Sequence, residues 1–281
     1  MHRSHTERGS TCTVRIDRAQ FTSALERSSP PDIPRFEIQL DRFVRSQTSV
    51  RTYLRVRAFR TQRSGSQVFV QYAPAVPWLP EAKVTVIADD QTGLRRNDLE
   101  RIWSVFRRPQ LLLVEVAFDF GSGSGVNRKF VLRSARFGRS QLRKSRDEIR
   151  FGTRKSHKLV RCYDKEGIRA FRIELEPHSS WLRRHHIRRL DAMSQLSKLL
   201  VPRHVEFVEL DWTKLRMHLI RRGLRPTAIV EAARHREDSL HQVTDYLRRT
   251  VGIQNVHRLL LPMPINAEMN DALEEWARQW R

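Results

Sequence analysis

The sequence predicts an α+β fold, in which a mostly antiparallel sheet is followed by a largely helical C-terminal half. Two observations predict it. Between Arg35 and Glu176 apolar and polar residues alternate with a period of two in several short stretches, the pattern of half-buried strands. After Pro177 the apolar residues recur at three- and four-residue spacing, the pattern of amphipathic helices. The chain has 281 residues and 39% hydrophobic content, enough for a core in one large domain or two small ones.

Residues 1–11 read as a polar tail, and TVRIDRAQFTSALERS after them as a short strand or helix. SSPPDIP is a turn cluster and marks a boundary. FEIQLDRFV, TYLRVRAFR, SQVFVQYA and AKVTVIAD are predicted strands, with a hairpin loop at TQRSGSQ. LRRNDLERIWSVFRR is a predicted helix with Leu99, Ile102, Trp103 and Phe106 on one face. It feeds the strand LLLVEVAFDF. GSGSG at 121–125 lacks the Lys-Ser/Thr of a phosphate-binding loop and the spacing of a dinucleotide fingerprint, so it reads as a turn. EIRFGT and LVRCYDK flank RKSHK as a hairpin, and FRIELEP completes a three-strand meander.

The helical half holds SWLRRHHIRRLDAMSQLSKLL, DWTKLRMHLIRRGL, PTAIVEAARHR, SLHQVTDYLRRTV and NAEMNDALEEWARQWR. Residues 211–233 have a loose helix-turn-helix pattern, which any two short helices around a Gly- and Pro-containing turn also give. Trp276 and Trp280 stand at helical spacing and are predicted core. His185 and His186 lie in a helical pattern without metal-ligand spacing. The expected division is a tail and short segment over 1–33, a catalytic sheet domain over 34–177, and a helical region over 178–281 for DNA binding or dimerisation.

The charge balance limits the partners. Lys plus Arg number 53 against 31 Asp plus Glu, a net charge of +22, with a pI near 11.3. Such a field favours a polyanion, and nucleic acid is the first candidate. Cys12 and Cys162 are the only cysteines, which argues against a disulfide framework and a cysteine-based zinc site. There is no apolar run of about 18 residues and no signal-peptide core, so the expectation is a cytoplasmic protein without a membrane partner. Residues 126–147 are highly basic. Arg128, Lys129, Arg133 and Arg136, with Arg154, Lys155 and Lys158 of the hairpin turn, are candidate phosphate-backbone contacts or a solvated surface.

Residues 111–176 concentrate the chemistry. Alternation puts Glu115, Ala117 and Asp119 on one strand face, Arg161, Tyr163 and Lys165 on another, and Arg172, Glu174 and Glu176 on a third. Pairing in one sheet brings these faces together. Four carboxylates are hard oxygen ligands suited to Mg²⁺ or Mn²⁺; the other reading is a solvated face paired with arginines. A buried Glu115 without a partner would be costly. Tyr163 is either a packing residue or a nucleophile, with Arg161 and Lys165 beside it to stabilise phenolate and phosphorane charge.

LLVEVAFDF, FGTRKSHKLVRCYDK and FRIELE occur in the order found in the replication initiation factor (Rep-trans) family, and the chain resembles that family over this stretch. The family comprises rolling-circle initiators of small plasmids, phage relatives and some relaxases. The resemblance implies that Tyr163 attacks a scissile phosphate, stays joined to the 5′ phosphate and frees a 3′-OH. It implies Glu115, Asp119, Glu174 and Glu176 as ligands of Mg²⁺ or Mn²⁺, and Arg161, Lys165 and Arg172 as phosphate contacts. Double-stranded origin DNA, single-stranded DNA, a host helicase and polymerase, and a homodimer are the implied partners. Glu115 stands where the family more usually has aspartate, and Leu113 where it has arginine. The competing expectation is a non-catalytic basic DNA-binding protein, a repressor or copy-control factor; a basic RNA- or ribosome-associated protein is the other.

Overall fold

The computed structural model describes residues 12–43, 52–89, 93–121, 142–144, 148–152, 158–197, 208–236 and 240–281. Its centre is a ten-stranded sheet. The strands are β1 (Cys12–Ala24), β2 (Glu37–Phe43), β3 (Tyr53–Arg60), β4 (Gln67–Pro74), β5 (Ala82–Ile87), β6 (Arg107–Gly121), β7 (Leu142–Lys144), β8 (Glu148–Phe151), β9 (Lys158–Lys165) and β10 (Ala170–Pro177). Their spatial order is β2-β3-β4-β5-β1-β6-β10-β9-β8-β7, and every pairing is antiparallel. The fold is α+β, as the change of period at Pro177 predicts.

The sheet does not begin at residue 34. β1 lies in its centre, between β5 and β6, so the segment read as an N-terminal addition is structural core of the sheet. Its sequence obscured this, because the alternation breaks. Ile16 and Ala19 are both buried, three residues apart, with Asp17 and Arg18 between them. Pairing with β6 shows a bulge there: Ile16 faces Val116, Arg18 faces Glu115, and Asp17 is the extra residue. The amides of Leu94 and Ala88 hydrogen-bond to the Ile16 and Asp17 carbonyls at 2.7 and 2.8 Å. Gly93 lets that connection lie against the bulge. Its φ is +69°, and a Cβ there would come within 2.8 Å of the Arg15 Cβ.

One face of the sheet is packed. Ile16, Phe21, Val68, Val70, Val84, Val114, Val116 and Phe118 belong to one apolar core. Helix α1 (Arg96–Ser104) adds Leu99 and Ile102 to it, with Trp103 and Phe106 against Phe21. Helix α2 (Ser179–Arg184) adds Trp181 and Leu182. The chain does not continue as the long helix predicted over 180–200. It turns at His186, where φ is +60°, and forms a 3₁₀ helix over Leu190–Gln195. Leu190, Met193 and Leu196 are buried at three-residue spacing, which fits three residues per turn rather than 3.6.

The rest of the helical half divides in two. Strand β11 (Val208–Leu210), α3 (Trp212–Arg221), α4 (Pro226–Arg234), α5 (Leu240–Arg249), a 3₁₀ turn over Val256–Leu259 and β12 (Leu260–Pro262) share a separate apolar core. β11 pairs with β12, which joins the two ends of this unit. Helix α6 (Ile265–Gln279) then returns to the sheet core through Ile265, Met269, Leu273 and Trp276. Trp276 and Trp280 are both buried there, with ring centroids 5.7 Å apart. No helix among the described residues is long and apolar enough to cross a membrane.

Candidate active site

The face of the sheet opposite the apolar core carries a charged cluster where β1, β6, β10 and β9 meet. The antiparallel register sets its order. Asp119 faces Arg172, which faces Tyr163; Ala117 faces Glu174, which faces Arg161. Residues directly opposite share a face, so these side chains converge as the period of two requires.

The bulge in β1 adds three more. Arg15, Asp17 and Arg18 all reach this face, which strict alternation would forbid. Arg18 Nη2 bridges Glu115 Oε2 at 2.6 Å and Glu176 Oε2 at 2.7 Å. Arg15 pairs with Asp119. Asp17 pairs with Arg172. None of these three was predicted as a site residue. The signal was present as the three-residue step from Ile16 to Ala19.

Asp17, Glu115 and Glu174 each offer a carboxylate oxygen within 4.8 Å of the others. Glu115 and Glu174 are thus brought together as expected. Asp119 and Glu176 stand to either side, each in ion pairs of its own. Asp119 takes Arg172 Nε at 2.6 Å and Nη2 at 3.0 Å. Glu176 meets Arg18 and, at 2.8 Å, His178 Nε2.

Tyr163 is half-buried and donates its phenol hydrogen bond to Glu174 Oε1. Arg161 Nη2 meets Glu115 Oε2 at 3.1 Å and pairs also with Glu174. Lys165 is half-buried on the same strand, and its charge acts on Asp17. Arg172 is fully buried, and its guanidinium is committed to Asp119 and Asp17. It therefore lies beneath the cluster, not at the surface where the sequence places a phosphate contact. Arg18 and Arg161 keep 30% and 26% side-chain exposure, and each has a buried Nε without a hydrogen bond.

The electrostatics follow from burial. Glu115 is pushed up to about 7 by desolvation and by the Glu174 charge, against the pull of Arg18 and Arg161. Burial also raises Glu174 and Asp17 despite the arginines beside them. Burial alone would raise Glu176 as well, but the His178 hydrogen bond and the Arg18 charge outweigh it and hold the carboxyl low. The Tyr163 phenol is raised by burial, then by the Glu174 charge and hydrogen bond. Burial pushes the Cys12 thiol up to about 12 and raises Cys162 further; neither cysteine forms a disulfide.

The cluster fits a hard divalent cation. Three carboxylates converge, their protonated forms are favoured by crowding and burial, and Asp17 Oδ1 is buried without a hydrogen bond. Arg128, Lys129, Arg133, Arg136, Arg154 and Lys155 lie outside the described residues, as does the side chain of Lys158. No family model matches this chain, and no curated protein matches it.

Proposed function

We propose that the protein is a metal-dependent tyrosine DNA nickase of the rolling-circle initiator type, acting in the cytoplasm on origin DNA and religating through a 5′-phosphotyrosine intermediate. The observation that carries this reading is the hydrogen bond from Tyr163 to a buried carboxylate that itself belongs to a three-carboxylate cluster. Tyr72 also bonds a carboxylate, the exposed Asp41, so what sets Tyr163 apart is that its partner Glu174 is buried within the cluster; a solvated acidic face would not be buried.

The chemistry assigns each residue a part. The phenol is held protonated at rest, so it needs a base, and Glu174 is in place with its basicity raised by burial. Glu174 accepts the phenol proton as Tyr163 Oη attacks phosphorus. The Oη–P bond forms, the P–O3′ bond breaks, and the leaving 3′ oxygen takes a proton from water. Arg161 and Arg18 face the reacting phosphate as charge-assisted donors. Arg172 acts from below by fixing Asp17 and Asp119. Asp17, Glu115 and Glu174 would hold Mg²⁺ or Mn²⁺, which when bound draws charge from a non-bridging phosphate oxygen. The reverse attack by the 3′-OH reseals the strand and restores the phenol. Host helicase, polymerase and a second copy of the chain are the partners this activity calls for.

Incubation with supercoiled DNA of its own replicon and Mn²⁺ is expected to give open circles. Asp17→Asn should slow nicking by about 10²–10³-fold, the range for removing one preorganised electrostatic partner. Nicking at an unchanged rate in Asp17→Asn and in the presence of EDTA would remove the cation from the account.

A further inference from the structure

The unit over 208–262 plays no part in the cluster on the sheet. It has its own apolar core, and its two ends are joined by the β11–β12 pairing. The core of the sheet is completed by α6 after the chain leaves this unit. An insertion of this kind adds a surface, and its helices show which one. α3, α4 and α5 bury Leu215, Leu219, Val230, Ala233, Val243 and Leu247 against one another. On α5 the opposite stripe holds Gln242, Asp245, Tyr246 and Arg249, at spacings of three, four and seven residues. Thr250 and Arg236 extend that stripe into an open groove of about 570 Å³. The Arg236 guanidinium lies 4.5 Å from the Tyr246 ring centroid. Arg249 pairs with Asp245 at 3.0 Å and keeps 80% side-chain exposure.

We infer that this unit is a three-helix reader of double-stranded DNA, with α5 as the helix that enters the major groove and α4 as the helix that crosses the backbone before it. Three observations support this partner. The order is that of a helix-turn-helix, with residues 235–239 between α4 and α5. The α3–α4 pair, which carries the loose pattern in the sequence, has an equally short connection, so it is the α5 stripe that singles out α4–α5. The α5 stripe carries an amide, a carboxylate and a guanidinium, side chains that discriminate base edges in the major groove. The unit holds ten Lys and Arg residues against six Asp and Glu. Of these, Arg234 closes α4 and Arg248 lies in the last turn of α5. Both flank the stripe as phosphate contacts do.

The inference stands apart from the nicking chemistry and is tested apart from it. The full chain is mixed with a pool of randomised duplexes, and bound molecules are recovered and sequenced over several rounds. Wild type and Tyr163→Phe should enrich the same motif. Gln242→Ala and Arg249→Ala should each lose about tenfold or more of their preference at one or two motif positions. Their affinity for unselected duplex should fall by about threefold or less, since each removes at most one of many phosphate contacts. Unchanged circular dichroism and melting of both variants would confirm that the fold is kept. An enriched motif that neither variant alters, or no enriched motif from wild type, would overturn the assignment. So would an equal loss on selected and unselected duplexes, which would reduce the unit to a backbone binder.

Discussion

The sheet and the inserted unit handle charge in opposite ways. On the sheet, Asp17, Glu115, Asp119, Glu174 and Glu176 are drawn below the surface and matched with Arg15, Arg18, Arg161 and Arg172. Arg172 has no exposure at all. In the unit over 208–262 the charges lie outside an apolar core, and pairs such as Arg249–Asp245 are open to solvent. Buried ion pairs are costly to form and worse to break, so a cluster of them is a poor device for stability alone. The proposed nicking activity gives the cluster in the middle of the sheet a chemical role, and the proposed DNA contact gives the exposed pairs on the small bundle theirs.

That contrast can be broken by substitution. Arg172→Met leaves Asp119 and Asp17 buried without their main partner and should cost about 3–5 kcal/mol in urea denaturation. Arg249→Ala, its counterpart on the unit, should stay within about 0.5 kcal/mol. Equal effects would mean that the two regions do not differ as described. Next, Leu219→Ala removes a fully buried side chain from the unit's core and should cost it about 2–5 kcal/mol. Hydrogen exchange should then rise across 208–262 while β6 and β10 stay protected and nicking of single-stranded DNA persists. Loss of protection in the sheet would show one cooperative body.

A smaller effect concerns pH. Glu115 has an ordinary value of 4.5 and sits near 7 in the folded protein. Below pH 4.5 it is protonated in both states and costs nothing. Between pH 4.5 and 7 the unfolded chain releases the proton first, so this group's share of stability is lost as pH rises. Glu115→Gln should therefore gain on wild type across that window in cation-free buffer, by at most about 3 kcal/mol. A gap that stays flat from pH 4.5 to 8 would contradict a Glu115 carboxyl raised by burial and by the Glu174 charge. Adding Mn²⁺ should narrow the gap, because the cation binds only the folded wild type with its full set of ligands.

β6, β9 and β10 were legible because each keeps a period of two over the residues that bear the cluster. Glu115, Glu174, Arg161 and Tyr163 could be placed on one face from their positions alone. Asp17 could not, because the bulge that brings Arg18 onto the face beside it breaks the alternation and disguises β1 as a loose segment. The spacing gave Arg172 a face but not a depth. Its full burial follows from the strands packed on either side, which alternation does not encode. In the helical half α3 to α6 were readable from their apolar spacing, while the break at His186 within 180–200 and the allocation of helices to two cores were not. α6 and α3 have the same kind of amphipathic pattern, yet one returns to the sheet and the other builds the inserted unit. Among the described residues, the pairing of β11 with β12, three residues each, marks the border.

The most direct test of the central claim is covalent trapping. The protein is incubated with Mn²⁺ and single-stranded DNA from its own replicon, denatured in SDS, digested and examined by mass spectrometry. The expected product is a nucleotide joined through phosphate to the peptide that contains Tyr163, absent in Tyr163→Phe while DNA binding is retained. An adduct on another residue, or strand cleavage that leaves Tyr163 unmodified, would contradict it.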